Sequence, residues 1–371
     1  MKKYGITKGA KLFSVLVVFV LLLQVFLVSA VAYSDFWVNK TSIPIELVTS
    51  GGVTTSNGMI YAISGDDGST VMYDPDMDTW NTKTTIPTFR DYFGVVTYKN
   101  KIYVIGGYVD DPASYNGKGA TGVNEVYNIE TGIWETKKVM STPRGNLCTE
   151  VVDGKIYAIG GFKPLAGWFD FNGLIPPLTE VYDIATDTWS SKTPPPYSEL
   201  VGSAVIDNKI YVLSQSGSLM IYDPLTDAWS YGATIPSLVF VAAVGATTGE
   251  LAPKRLYVIG GGSDVNLVQV YNPETDTWTT GTSMPCRYEV RCVVVDDYLY
   301  VIGGVDTSSD RNPVNTVEMY VPSGHKNADQ HPNVTPYPYM LSLIQIVVIV
   351  IVVTAVGLAI ALRTKKRRKT K

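Results

Sequence analysis

The chain is poor in histidine and cysteine, with two of one and three of the other among 371 residues. Both histidines, His325 and His331, fall near the C-terminal end. Residues 33–322 therefore cannot build a histidine-ligated copper or zinc centre, nor a Ser-His-Asp hydrolase triad. Cys148, Cys286 and Cys292 form an odd, sparse set, which excludes a disulfide framework. Cys286 and Cys292 are close enough in sequence for one local bridge. Positive charge is scarce in the middle as well. Lys2, Lys3, Lys8, Lys11 and seven Lys or Arg in 363–371 take eleven of the 30 bases, which leaves 19 against 34 acids. A segment 33–339 carrying about −15 is unsuited to displacing counterions from phosphates, so nucleic acid is not an expected partner.

Two long apolar runs explain the asymmetry. "LFSVLVVFVLLLQVFLV" (12–28) follows the four early lysines and precedes small residues at Ala30 and Ala32. This predicts a secretory signal over 1–32, with an uncleaved anchor as the alternative. "MLSLIQIVVIVIVVTAVGLAIAL" (340–362) has 23 residues and no charge. As a helix at ~1.5 Å per residue it reaches ~35 Å, enough to span the hydrocarbon layer with tilt. "RTKKRRKTK" (363–371) follows at once, the positive-inside signature of a cytoplasmic tail. The expected order is signal segment, extracytoplasmic domain 33–322, stalk linker 323–339, one transmembrane helix and a basic tail.

Between those runs the sequence repeats. "MIYAISG" (59–65), "KIYVIGG" (101–107), "KIYAIGG" (155–161), "KIYVLSQ" (209–215), "RLYVIGG" (255–261) and "YLYVIGG" (298–304) are six copies of one phrase. The first five lead to a tyrosine seven residues before a tryptophan: "YDPDMDTW" (73–80), "YNIETGIW" (127–134), "YDIATDTW" (182–189), "YDPLTDAW" (222–229) and "YNPETDTW" (271–278). The sixth copy, at "VEMYVPSG" (317–324), lacks its tryptophan, while Trp37 stands alone at the other end. A ring reconciles the two, because the first strand of the domain completes the last unit. Apolar strands such as "YFGVVTY" (92–98) and "CTEVV" (148–152) precede each phrase through polar hairpin turns. Four antiparallel strands per ~45 residues make a propeller blade.

The glycine pairs 106–107, 160–161, 260–261 and 303–304, with the Tyr/Trp pairs, give residues 35–322 a resemblance to the kelch family. Ser64-Gly65 and Ser214-Gln215 depart from the pattern and mark blades one and four as irregular. The resemblance implies an all-β, six-bladed propeller closed by the N-terminal strand. The histidine count sets aside the copper-oxidase branch of that family. A phosphate cradle at the glycine pairs is also excluded, since a strand and not a helix follows each one.

Few constellations could carry chemistry. Asp74, Asp76 and Asp78 alternate, but Thr79 and Thr85 stand where a calcium loop needs Gly and Glu. Asp187, Asp227 and Asp276 recur at the place of Asp78, which makes it a turn residue. No cofactor or metal is implied. Arg90, Arg144 and Arg287 each precede the Tyr of their IY strand by 13 residues, near one end of the channel. There they could grip an anion, or pair with Glu125, Glu180 and Glu318, which occur in the same three blades. Long insertions after the second and third IY strands, 108–124 and 162–179, offer Tyr108, Tyr115, Phe162, Trp168, Phe169 and Phe171 for contact. Asn39-Lys40-Thr41 and Asn333-Val334-Thr335 fit glycosylation sequons.

Two functions follow as expectations. One is a membrane-anchored extracellular binding module for a protein or glycan at the loop face. The other draws on similarity to the kelch-type sialic acid mutarotases. In that reading Arg90, Arg144 and Arg287 hold a carboxylate, and Glu150 or Glu199 serves as acid–base.

Overall fold

The computed structural model describes residues 34–47, 51–113, 117–163, 176–261, 266–284, 287–306 and 312–330. Segments 12–28 and 340–362 lie outside them. Among the described residues no helix is long and apolar enough to cross a membrane.

Ser34–His325 forms one unit, in which six four-stranded antiparallel sheets are seen among the described residues. Blade one comprises Gly52–Ser56, Met59–Ile63, Thr70–Asp74 and Thr79–Thr82. Blade two comprises Gly94–Tyr98, Lys101–Ile105, Asn124–Asn128 and Ile133–Lys137. Blade three follows with Cys148–Val152, Lys155–Ile159, Thr179–Asp183 and Thr188–Lys192. Blade four has Leu200–Ile206, Lys209–Ser214, Leu219–Asp223 and Ala228–Gly232. Blade five has Ala243–Ala246, Leu256–Ile259, Val268–Asn272 and Thr277–Gly281. In blade six, Arg291–Val295, Tyr298–Ile302 and Val317–Val321 are completed by Phe36–Lys40 from the start of the domain. Trp37 sits opposite Tyr320 in that last pairing, as the orphan tryptophan predicts.

The first strand of each blade packs against the first strands of its two neighbours, and the sixth returns to the first. A ring closed this way leaves a channel on its axis. Alternation along the second strands is nearly absent: Ile102, Tyr103, Val104 and Ile105 are all buried, since both faces of a blade meet neighbours. The core therefore lies in the seams. Tyr103, Ile105 and Val126 of blade two share one cluster with Ile156, Ala158 and Tyr182 of blade three. Full burial of each such side chain is worth ~1.5–3 kcal/mol, so the seams carry most of the stability.

The blades have two kinds of end. At one, turns such as Asn57-Gly58, Asp153-Gly154 and Asp207-Asn208 take positive φ at both positions, the type I′ geometry that matches strand twist. This is the hairpin face. The other end carries the glycine pairs. Gly107 has φ +101°, and a Cβ there would stand 2.5 Å from the Asp91 carbonyl oxygen. Gly106 meets the Arg144 carbonyl oxygen as closely. The pair is thus required by backbone packed against backbone. Blades one and four replace it with buried Ser64 and Ser214 and make short connections to their third strands.

Candidate functional site

The channel is a cavity of about 880 Å³ walled by the first strands of all six blades. Its mouth lies on the glycine-pair face, where Asp91, Tyr92, Tyr108, Phe162, Phe240, Val241 and Glu289 border it. Lys118 bridges Asp91 at 3.1 Å and Asp110 at 2.8 Å beside that opening. Burial raises the Asp91 carboxyl above the usual carboxylate range, opposed by the Lys118 ammonium. Deeper in the wall stands Glu150, to which the Ser203 hydroxyl donates at 2.7 Å. Enclosure pushes the Glu150 carboxyl up to about 7, against that hydrogen bond. Cys148 and Cys292 are free thiols in the same wall, each pushed up to about 12 by burial. Cys286 lies outside the described residues. Among those residues no group of three His, Cys, Asp or Glu could hold a metal ion.

The three arginines are not at the mouth. Arg90, Arg144 and Arg287 are buried inside their blades and none lines the channel. Arg90 donates to Glu125 at 2.5 Å, to the Thr88 carbonyl at 2.8 Å and to the Val104 carbonyl at 2.9 Å. Arg144 binds Glu180 together with the carbonyls of Thr142, Ala158 and Gly160. Arg287 binds Glu318, Thr316 and the Gly303 carbonyl. Of the two readings open to the sequence, the structure places the intra-blade pairs. Each guanidinium ties the loop entering its blade to the second and third strands. Burial lowers the proton affinity of all three guanidinia, and the glutamates oppose it. Blade five uses a neutral substitute: Gln269 exchanges two hydrogen bonds with the backbone of Ser237, each at 2.9 Å.

The remaining candidates separate. Glu199 is exposed, precedes the first strand of blade four and is not in the channel wall. Of the two acid–base candidates only Glu150 reaches the cavity. Tyr108 is buried at 7% exposure, not offered for contact: its hydroxyl donates to the Phe162 carbonyl at 2.9 Å. That bond joins the insertions of blades two and three. Phe162 stays partly exposed at the mouth. Tyr115, Trp168, Phe169 and Phe171 lie outside the described residues. His325, expected in the stalk, is instead buried at 4% exposure, stacked on Tyr298.

Sequence reasoning passed over four side chains. Phe89, Leu238, Phe240 and Val241 are 58%, 53%, 57% and 39% exposed on the loops entering blades two and five. The signal was "SLVFVAAVG" (237–245), apolar where the matching stretch of blade two reads "TFRDYFG" (88–94). Of these four, Phe240 and Val241 line the channel cavity, and Phe89 and Leu238 do not.

The kelch motif family matches residues 90–138, 143–196, 253–285 and 286–326. Blades one and four, without glycine pairs, fall outside those segments. Alpha-scruin of Limulus polyphemus is 27% identical over 238 residues, 60% of this chain and 24% of that protein. Kelch repeat and BTB domain-containing protein 12 of Homo sapiens is 30% identical over 192 residues, 47% of this chain and 30% of that one. The chain thus spans about a quarter to a third of the length of these relatives. Among solved structures, YjhT superposes with a TM-score of 0.63 at 16% identity, covering 76% of this chain and 96% of that one. That likeness is one of fold.

Proposed function

This chain is a kelch-repeat β-propeller protein, and from that premise we propose that it is a membrane-anchored binding module that takes a protein or glycan partner on its glycine-pair face. The observation that carries this reading is the exposed pair Phe240 and Val241 at the channel mouth, with Phe89 and Leu238 also exposed on the loops of that face. The blades beneath hold those loops rigid, so little ordering entropy opposes association. The linked insertions of blades two and three extend the same face. The apolar run 340–362 with its basic successor supports anchorage by one C-terminal span, with the propeller outside and the tail in the cytoplasm. The early run 12–28 supports export.

A photo-crosslinking phenylalanine analogue at Phe240, in the full chain in its native membranes, tests the binding surface. A discrete higher-mass adduct at Phe240, absent when the probe replaces Lys209 on the hairpin face, is the expected result. No adduct at positions 240, 238 and 89 overturns the reading.

A further inference from the structure

The outermost strand of each blade is a sheet edge, with a row of backbone N–H and C=O groups left over for pairing. Four of the six edges are guarded in one way. Lys40, Lys83, Lys137 and Lys192 stand three residues after the tryptophan of blades six, one, two and three. A lysine there sets a charge against an incoming strand. Blades four and five have Gly232 and Gly281 at that position, and each glycine has a packing cause. A Cβ at 232 would stand 2.7 Å from the Tyr271 hydroxyl of the next blade, and one at 281 would meet the Tyr320 hydroxyl. The outer strands Ala228–Gly232 and Thr277–Gly281 therefore carry no charged residue.

Blade four departs further from its neighbours. Two residues after the tryptophan the other blades place small polar side chains, Asn39, Thr82, Thr136, Ser191 and Thr280, where blade four has the exposed Tyr231. In the turn before that strand, Asp76, Glu130, Ala185 and Glu274 are answered by Leu225, which is 87% exposed. Blade two also exposes Ile133 on its outer strand, but in the company of Glu135 and Lys137. Asp227, the charge next to the blade-four strand, is held within the ring by the Tyr222 hydroxyl, the Thr193 amide and the Lys192 ammonium. One edge is thus neutral or apolar at three registers where its neighbours are mostly charged or polar.

We propose that the outer edge of blade four, Ala228–Gly232, pairs antiparallel with the same strand of a second copy of this chain. Charge selects that occupant. A two-fold axis sets the start of one strand against the end of the other, so an identical edge brings no lysine to either end. It also seats the Leu225 end of one copy beside the Tyr231 end of the other. The opposed edge supplies partners for the unpaired backbone groups, and the apolar side chains leave water across the pair. Blade five, neutral but lined by Thr277, Thr279 and Thr280, has no such apolar pair. A five-residue edge with two large side chains is a small interface, so the dimer is expected to dissociate on dilution. The contact uses the strand farthest from the channel and is independent of the partner proposed for the glycine-pair face.

Light scattering on the purified full chain in detergent micelles reads the protein mass at about 100 μM, where a micromolar dimer is nearly full. Twice the mass of one chain is expected. It should fall to that of one chain in Ser230→Lys and in Tyr231→Lys, while Ser190→Lys, the matching position of blade three, leaves it unchanged. Ser230→Cys in a Cys286→Ser background should give a covalent pair with a short bismaleimide, and Ser190→Cys should give none. Cys148 and Cys292, with thiols pushed up to about 12, remain protonated and react little at neutral pH. A single-chain mass for the parent at that concentration overturns the proposal. So does a doubled mass that persists in both lysine variants, or a cross-link at 190 as strong as that at 230.

Discussion

Trp37 packs against Tyr320 with ring centroids 4.9 Å apart, and its indole N–H donates at 2.9 Å to the Thr282 carbonyl of the preceding blade. Asp35 completes the joint, accepting from the Tyr320 hydroxyl and from the Thr282 amide. One residue of the neighbouring blade is thus held by both its N–H and its C=O. The same clasp recurs around the ring. Trp80 and Asp78 hold Thr41, Trp189 and Asp187 hold Lys138, Trp229 and Asp227 hold Thr193, and Trp278 and Asp276 hold Ala233. Asp78, Asp187, Asp227 and Asp276 are turn residues at φ near +50°, as their spacing predicts, but their carboxylates also lock one blade to the next.

Removing the clasp at the closing seam is the most direct challenge to the ring. Trp37→Ala forfeits the indole packing and a hydrogen bond, at a cost of about 3 kcal/mol for a partly exposed aromatic. Urea unfolding should show a lower midpoint, with Asp35→Asn milder and Trp37→Phe intermediate. An unchanged midpoint in Trp37→Ala would mean that the first strand does not close the ring.

The seam between blades one and two lacks this device. Gly132 occupies the aspartate position, and the Trp134 indole nitrogen is buried without a partner. A Cβ at Gly132 would meet only the Tyr127 hydroxyl, at 3.7 Å, where an Asp carboxylate could accept from it. The φ of +70° lies in the same left-handed region as Asp78, Asp187, Asp227 and Asp276, which stand at +52° to +54°. Gly132→Asp is therefore expected to stabilise by about 1 kcal/mol through added hydrogen bonds and a less flexible unfolded chain. Scanning calorimetry reads this as a rise of a few degrees in Tm; a fall would mean that the seam cannot accept the carboxylate.

The ring was legible in the sequence because each seam needs the same large side chains at the same register, and repetition of packing is repetition of residues. Tyr73, Tyr127, Tyr182, Tyr222, Tyr271 and Tyr320 announce it, and even the displaced Trp37 could be assigned by counting. The "DFW" at 35–37 copies the "DTW" of 78–80, so Asp35 was readable as well. Apolar contact surface obeys no such rule. Phe240 exposed at the mouth and Val239 buried beside it differ by one step of backbone, and composition does not separate them. His325 illustrates the other limit: a residue beyond the last repeat returns beneath blade six by a turn that no periodicity encodes.

The buried Arg–Glu pairs make an asymmetric prediction. Glu180→Ala leaves the Arg144 guanidinium uncompensated in the interior, a loss of ~3–5 kcal/mol. Glu180→Gln keeps an acceptor and should cost less. Replacing both partners by apolar residues, Arg144→Met with Glu180→Leu, should recover much of the loss, since two desolvation penalties vanish together. Chemical denaturation of the single and double variants checks the cycle. Strict additivity would mean that the two side chains do not act as a pair.

Glu150 gives the fold a dependence on pH that its neighbours do not. Its carboxyl, raised to about 7 by enclosure in the channel wall, ionises near 4.5 once the chain unfolds. The folded state thus holds the proton more tightly, and the associated stability is complete below pH ~4.5 and lost as pH rises through about 7. Each tenfold change in proton affinity is worth ~1.4 kcal/mol, and channel water brings the expected loss to about 1–2 kcal/mol. Glu150→Gln retains an acceptor for Ser203 without a titrating proton, so its Tm should stay level between pH 5 and pH 8 on the order-of-magnitude expected from linkage. Asp187 acts in the opposite sense: the Tyr182 hydroxyl and the Lys138 amide hold its carboxyl below the usual range. Its contribution is present above pH ~4 and fades in acid, where Glu150→Gln and the parent chain should lose stability alike. A parent chain whose Tm is flat from pH 5 to pH 8 would show that water reaches the Glu150 carboxylate freely, and the channel would then be a solvated groove and not an enclosed cavity.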